Sequence, residues 1–511
     1  MVQMGKRWSG TAALIVCAVI LGCAADAFAQ APGAGNMGGT PASVGTGNTS
    51  SAELGTAVKA QQQLATPGPS VAPSNGMDQS FKGSIVSGKA TADVLPLSLD
   101  DAIQRGLKNN LGLILQSANA RQANGQRLIE LQSLLPSVTG QASIQVQQVN
   151  LAAYGLKFPG INPIVGPFQV EDFRAYLSQK VFDLQALQNY LAAKHNFESA
   201  KLTAQDAREL VVLSVGNAYL VCVADAARIT SVQAELDSSK LSLQQATDAH
   251  EAGTSPRLDV LRAQVDYQSE QQTLISAKNQ LEKDKLALAR AIGLPLDQKF
   301  TLSDSAPFQA LDAPDPEAAF QQALKQRKDL AAAVETRKGA EASKKAAFDQ
   351  QLPSASVDGN FGDLGTTVAH SHGTYTAEGQ ISAPILQIAK TRGDVEVAGA
   401  QLDQATAKLS DQVQQVNADV RDAILDIQTA AKLVEATRSN VELAREALSE
   451  AQQRFKVGVA DDLPVSQAIA TDRQAEDQYI SALYQHNVAK LSLARALGVA
   501  STNYKDYLGG K

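Results

Sequence analysis

Leu286-Ala287-Leu288-Ala289-Arg290-Ala291-Ile292-Gly293 returns later in the chain as Leu491-Ser492-Leu493-Ala494-Arg495-Ala496-Leu497-Gly498. The echo is one of a series in matching order. Asp101-Ala102-Ile103-Gln104-Arg105-Gly106-Leu107-Lys108 aligns with Ala318-Ala319-Phe320-Gln321-Gln322-Ala323-Leu324-Lys325, and Leu135-Pro136-Ser137 aligns with Leu352-Pro353-Ser354. Gly253 pairs with Gly458, Leu258 with Leu463 and Val260 with Val465. Such self-similarity marks one long supersecondary unit present twice. Each copy reads helix, strand, strand, long helix, turn, helix.

The strands are brief and alternate. Val138, Gly140, Ala142, Ile144 and Val146 fall between Thr139, Gln141, Ser143, Gln145 and Gln147; Tyr375, Ala377, Gly379, Ile381 and Ala383 fall between Thr374, Thr376, Glu378, Gln380 and Ser382. A period of two sends the small or apolar residues to one face and the polar ones to the other. A half-buried soluble sheet gives this pattern, and so does a transmembrane barrel with lipid outside and water inside.

The helices decide between them. From Leu184 to about Ala252, and from Gln387 to about Val457, no Pro intervenes. At 1.5 Å per residue each stretch is about 100 Å long as one helix. The second carries a seam of Val413, Val416, Val420, Ala423, Ile427, Ala430, Val434, Thr437, Val441, Ala444, Leu448, Ala451 and Phe455, whose steps alternate three and four as in a coiled coil. Val395, Ala398, Leu402, Ala405 and Leu409 keep the rhythm upstream, and the step to Val413 is a stutter that locally unwinds a supercoil. Four strands cannot close a barrel, and an open sheet edge is not tolerated in hydrocarbon, so several chains must contribute to the wall.

Composition narrows the function. The chain has 511 residues, with 44% hydrophobic, 19% charged and only 5% aromatic. That suits long helices packed through small side chains. A net charge of −7 argues against a nucleic-acid binder. Three Cys, two of them within the first 23 residues, exclude a disulfide framework. No unbroken run of 18 apolar residues follows the N-terminus, so no transmembrane helix is expected.

Lys6 and Arg7, an apolar run from Ala12 to Leu21, and Ala27-Phe28-Ala29 read as a secretory signal over 1–29, cleaved before Gln30. Ile20-Leu21-Gly22-Cys23 offers the competing reading, a lipoprotein acylated on Cys23. Residues 30–94 are rich in Gly, Ala, Ser, Thr and Pro without periodicity and are expected to be a disordered linker. Gly33-Ala34-Gly35-Asn36-Met37-Gly38 matches G-x-G-x-x-G only formally, since no strand precedes it and no helix follows.

The order Leu97-Ser98-Leu99-Asp100-Asp101-Ala102, Asn109-Asn110, Leu135-Pro136-Ser137, Gly253-x4-Leu258-Asp259-Val260-Leu261-x-Ala263 and the repeat ends resembles the TolC-like outer-membrane efflux proteins over about residues 95 to 500. The resemblance implies a mainly α fold with a small β part. Two repeats, 95–305 (strands about 138–150 and 173–182) and 306–500 (strands about 354–363 and 374–384), are followed by a tail at 501–511. They would give an α-barrel of antiparallel helical hairpins across the periplasm. Four strands per chain would join a shared 12-stranded barrel in a homotrimer in the outer membrane. It also implies a passive exit duct of tripartite efflux or type I secretion, docked to a periplasmic adaptor (membrane fusion protein) and an inner-membrane transporter. The alternative is a periplasmic coiled-coil scaffold without a pore.

No catalytic constellation, cofactor or metal site is expected. His370-x-His372 reads as a solvated loop, and the many helical Asp and Glu read as solvated faces. Function should sit at the two helix-to-helix turns. Gly253 with Thr254, and Gly458 with Val459, are the candidate tip residues for adaptor docking, since Gly stops a helix by taking the left-handed conformation. Asp259, Asp461 and Asp462 are the candidate constriction acids, because symmetry would turn each into a ring of like charge. Asp259, six residues after Gly253, matches the family's first-turn acid. The family's second-turn acids fall here on Pro464 and Gln467, a departure that Asp461 and Asp462 would have to make good.

Overall fold

The computed structural model describes residues 79–156, 159–160, 162–304, 308–457, 459 and 463–508. The signal sequence, Cys23 and the linker as far as residue 78 lie outside them.

The first repeat opens with strand β1 (Leu95–Leu97) and helices α1 (Leu99–Asn109) and α2 (Leu111–Gln132). Strands β2 (Ser137–Asn150) and β3 (Ile164–Phe182) follow, then helices α3 (Leu184–Glu251) and α4 (Arg257–Ile292) and strand β4 (Phe300–Leu302). The second gives α5 (Pro316–Gln326), α6 (Lys328–Asp349), β5 (Ser354–Gly365), β6 (Ser371–Ser382), α7 (Ile388–Lys456) and α8 (Leu463–Ala496). A short helix, α9 (Ala500–Leu508), ends the described chain.

Local chemistry sets the boundaries. Ser98 caps α1 by accepting from the Asp101 amide, and Asp315 caps α5 with Pro316 in its first turn. Asn110 separates α1 from α2, its side chain accepting from the Gly112 and Leu113 amides. The α3 helix starts at Asp183, whose carboxylate accepts from the Ala186 amide, and runs 68 residues, about 100 Å.

The helices pack side by side in the order α2, α3, α6, α7, while α4 pairs with α3, and α8 with both α7 and α3. Every α7 seam position from Val416 to Ala444 is buried. The echoed motifs are the core of the mid-section: Ala102, Ile103, Leu288 and Ile292 in one cluster, Ala319, Ala323, Leu493 and Leu497 in the other. Their terminal glycines, Gly293 and Gly498, have φ of 77° and 76°. A Cβ on Gly293 would lie 2.6 Å from the Ile85 carbonyl oxygen, and one on Gly498 2.9 Å from the Arg327 amide nitrogen. Only glycine suits the conformation and the close approach, which is why both repeats end on it.

The four-stranded sheet has the order β2-β3-β5-β6, all antiparallel. Val138, Leu177, Gly359 and Ala377 share a row, and Ala175, Phe361 and Tyr375 share the next on that face. The opposite face carries Thr139, Tyr176, Asn360 and Thr376, with Gln141, Arg174, Gly362 and Thr374 beside them. Val138, Ile144, Val146, Phe361, Tyr375 and Ile381 are all more than 60% exposed on the apolar face. Among the described residues, the sheet thus has an apolar face with no core beneath it.

Four expectations need correction. The strand expected at 173–182 begins at Ile164, because Gly166 and Pro167 sit at a register shift between Gln147 and Val149 instead of ending the strand. Pro lacks a ladder donor and is tolerated at such a bulge. The segment 81–87, expected to belong to the disordered linker, is tied to the fold, whereas 88–94 is exposed. Phe81 is 5% exposed and fills the space above Gly112, and the Ile85 and Ser87 amides donate to Asn109 O (2.8 Å) and Gly293 O (2.9 Å). The expected tail is helical and buries Tyr504, whose hydroxyl bonds the Asp100 carboxylate.

The last concerns membrane-spanning helices. Averaging over 18 residues instead of requiring an unbroken run shows that α3 is long and apolar enough to span, with mean hydropathy 1.8. Its Val211, Val212, Val215, Tyr219 and Cys222 pack into the chain's own core, which accounts for that apolarity. Ile427, buried in the α7 seam, tests where this middle section draws its stability. Ile427→Ala is expected to cost about 2–5 kcal/mol in denaturant unfolding, whereas Leu425→Ala on the exposed side of the same helix changes it little.

Candidate functional site: the turns between the long helices

The first turn, Ala252 to Pro256, is built almost wholly from its own hydrogen bonds. The Thr254 amide and hydroxyl both reach the Ala249 carbonyl at 2.9 Å, and the Gly253 amide reaches His250 O at 3.0 Å. These bonds satisfy the carbonyls left open at the end of α3. His250 Nδ1 lies 2.9 Å from Ser255 O, closing the turn from the other side. Gly253 has φ of 76°, and a Cβ there would meet nothing within 4 Å. Conformation, not crowding, selects glycine at this point.

Asp259 does not offer a free carboxylate. It is 4% exposed, accepts from Ser255 Oγ at 2.6 Å and faces Arg262 at 3.8 Å. In the single chain it ties the turn to the first coil of α4. Beneath it Ala246, Ala263, Phe455, Val465 and Ile469 form a small apolar cluster joining α3 and α4 to α7 and α8. Ser466 Oγ adds a bond to Asp266 at 2.5 Å.

The second turn is described only at its ends and at Val459, whose amide donates to Arg454 O at 3.0 Å and whose side chain is exposed. Gly458, Asp461 and Asp462 lie outside the described residues. Of the expected site residues, the fold therefore gathers Gly253, Thr254 and Asp259 at one turn, with Val459 at the other. Ser255, His250 and Arg262 were not anticipated. The Thr254-Ser255-Pro256 run, a hydroxyl pair ahead of a helix-starting Pro, was the available signal for the first of these.

The helical acids correct the sequence reading more widely. Asp206, Glu209, Glu235, Asp259 and Glu270 are buried between helices, not solvated. Asp206 pairs with Arg495 at 2.8 Å, and burial, opposed by that arginine, raises its carboxyl to about 6. Arg327, also buried, is gripped by Asp329 at 2.6 Å and Asp419 at 2.7 Å. His370 bonds the Thr367 hydroxyl, and among the described residues no group of three or more His, Cys, Asp or Glu is placed to hold a metal.

The model of the family described as outer membrane efflux protein matches the chain at residues 102–294 and again at 319–499. The chain belongs to that family. It is 26% identical over 417 residues to the toluene efflux pump outer membrane protein TtgC of Pseudomonas putida, covering 78% of this chain and 83% of that one. To the pyoverdine export outer membrane protein OpmQ of the same species it is 23% identical over 415 residues, covering 78% and 85%. Among solved structures, the CmeC outer membrane channel of Campylobacter jejuni matches with TM-score 0.71 at 18% identity, over 84% of this chain and 95% of that one, a likeness of fold. As an outer membrane efflux protein the chain serves as an outer-membrane channel in efflux or secretion and is not an enzyme.

The geometry of the first turn separates two kinds of substitution. Gly253→Asn, which tolerates the left-handed region, is expected to leave thermal unfolding nearly unchanged. Gly253→Val is expected to destabilise by about 1–2 kcal/mol and to open the turn to limited proteolysis.

Proposed function

We propose that three copies of this chain close one 12-stranded barrel in the outer membrane and continue it as an α-barrel into the periplasm, forming a passive exit duct. The observation that carries this reading is the sheet. Its outer strands β2 and β6 have no strand beyond them among the described residues, one face is apolar and exposed, and the other is polar. Lipid against the first face, water against the second, and β6 of one copy on β2 of the next would satisfy every requirement at once. Arg174, with Asn360 and Thr374 on the same polar face and bonded to it at 3.2 and 3.4 Å, would then line the lumen.

The turns lie at the far ends of helices about 100 Å long and, on this reading, meet a periplasmic adaptor that joins the duct to an inner-membrane transporter. Gly253 and Thr254 with Gly458 and Val459 are the docking residues. Asp461 and Asp462 are the acids proposed to ring the narrow end, and Asp259 serves there by bracing the first turn. Export through the signal at 1–29, with the alternative of acylation at Cys23, delivers the chain to that membrane. Solvents and a siderophore appear in the names of the relatives; the cargo of this duct is set by the transporter it meets.

Charge placed on each face of the sheet tests the barrel. Phe361→Asp, on the apolar face, is expected to abolish the heat-modifiable oligomer in the outer-membrane fraction, since a charge facing lipid is destabilising in each copy. Asn360→Asp, one residue away on the polar face, is expected to assemble normally. Equal behaviour of the two would sink the reading. At the other end, Gly458→Trp is expected to abolish copurification of the adaptor while the oligomer still forms; retained copurification would remove that turn from the docking surface.

A further inference from the structure

A cavity of about 420 Å³ opens where the two repeats meet in the mid-section, between α3 and β4 of the first and α8 of the second. That volume is in the range of small-molecule sites. Leu220 and Val223 of α3, Leu302 of β4, and Ile480 and Leu483 of α8 give it apolar walls. Asn487 is buried among the lining residues, whereas Ala227, Thr230 and Asp304 are exposed at its mouth. The duct reading gives this cavity no role.

The polar side chains of the lining have spent their donors within the chain. Thr230 Oγ1 donates to Ala226 O at 3.2 Å, and Tyr484 Oη donates to Asn217 Oδ1 at 2.6 Å. Asn487 turns its amide nitrogen to Leu483 O at 3.0 Å, so its Oδ1 is left without a donor among the described residues. A hydroxyl that donates still has lone pairs with which to accept. No Lys, Arg or His lines the cavity, and Arg228, between Ala227 and Thr230 on α3, is held by Asp477 at 2.9 Å.

Asp304 supplies the charge. Its Oδ2 accepts from the Leu99 amide at 2.7 Å and from the Tyr219 hydroxyl at 3.2 Å, which fixes the carboxylate at the mouth. Its Oδ1 accepts only from Ser303 Oγ, at 3.4 Å, and has capacity to spare. Apolar walls favour an apolar body, and acceptors gathered round one carboxylate favour a positively charged donor. An anion would meet only lone pairs and like charge there.

We propose that this cavity binds lipophilic amines, with the apolar body between α3 and α8 and the ammonium group on Asp304. Such a ligand touches both repeats of the chain at once. The site goes beyond the duct reading, and its occupancy does not depend on it.

The test uses the intact oligomer in lipid nanodiscs, with empty nanodiscs subtracted, and three probes of the same shape: adamantylamine, adamantanol and adamantanecarboxylate. Equilibrium dialysis at neutral pH, where the amine is protonated, should show saturable binding of the amine. The alcohol should bind about tenfold more weakly, for want of one charge-assisted hydrogen bond, and the carboxylate should not bind. Asp304→Asn should bring the amine down to the affinity of the alcohol and leave the alcohol unchanged, which a general loosening of the fold would not do. Ala227→Leu, at an exposed position of the mouth, should weaken amine and alcohol alike. The proposal is overturned if the wild type binds no amine saturably, if amine and alcohol bind equally, if Asp304→Asn leaves their ratio as it was, or if Ala227→Leu changes neither. The ratio in the wild type is read without any variant, so it decides the matter even where Asp304→Asn does not fold. No readout requires conduction, so failure of the duct reading would be seen separately.

Discussion

A strand at the edge of a sheet carries a row of amides and carbonyls that must bond to something, and in hydrocarbon water is not on offer. Among the described residues the four-stranded sheet ends in two such edges, along β2 and β6, while its apolar face lies exposed with no core beneath it. That one constraint orders much else. On the proposed reading it calls for another copy of the chain, makes the apolar face a lipid face, and turns the polar face into the wall of a lumen. The helical hairpins then have a direction, leading away from the membrane.

The two hairpins are not equivalent, although duplication built both. The α7 helix presents Val416, Val420, Ala423, Ile427, Ala430 and Val434 as an unbroken apolar seam. The α3 helix, after its valine-rich middle, turns to Asp225, Arg228, Ser231, Glu235, Ser239 and Ser242 toward α4 and α8. Apolar burial is indifferent to pH, whereas buried carboxylates tie packing to proton concentration. One long helix is therefore held by an apolar seam and the other partly by buried charge. Duplication followed by divergence of a single interface is enough to produce that division.

Much of the architecture was legible in the chain. The long helices end where Gly253 interrupts the pattern and begin after Asp183, because glycine and caps act through the local backbone. Strand alternation was legible for the same reason. What escaped depends on neighbours distant in sequence. Gly166 and Pro167 looked like loop residues, and only pairing with β2 makes them a bulge inside a strand. Phe81 stands in a stretch whose composition speaks of disorder, yet a glycine at 112 leaves the space that one aromatic ring fills. Asp259 stood out in the sequence as a constriction candidate beside the turn, but its partnership with Ser255 and its burial follow from how α3, α4, α7 and α8 converge.

By itself the sequence determined what repeats in one dimension: two copies of a unit, the length of its helices, the alternation of its strands and the glycines at its turns. These are properties of neighbouring residues and of the 3.6 and 2 periods of the backbone. The tertiary structure alone decided which charges are buried. An acid on a helix has the same spacing whether it faces water or a neighbouring helix, and only the packing of α8 beside α4 brings Arg473 within 2.7 Å of the buried Glu270.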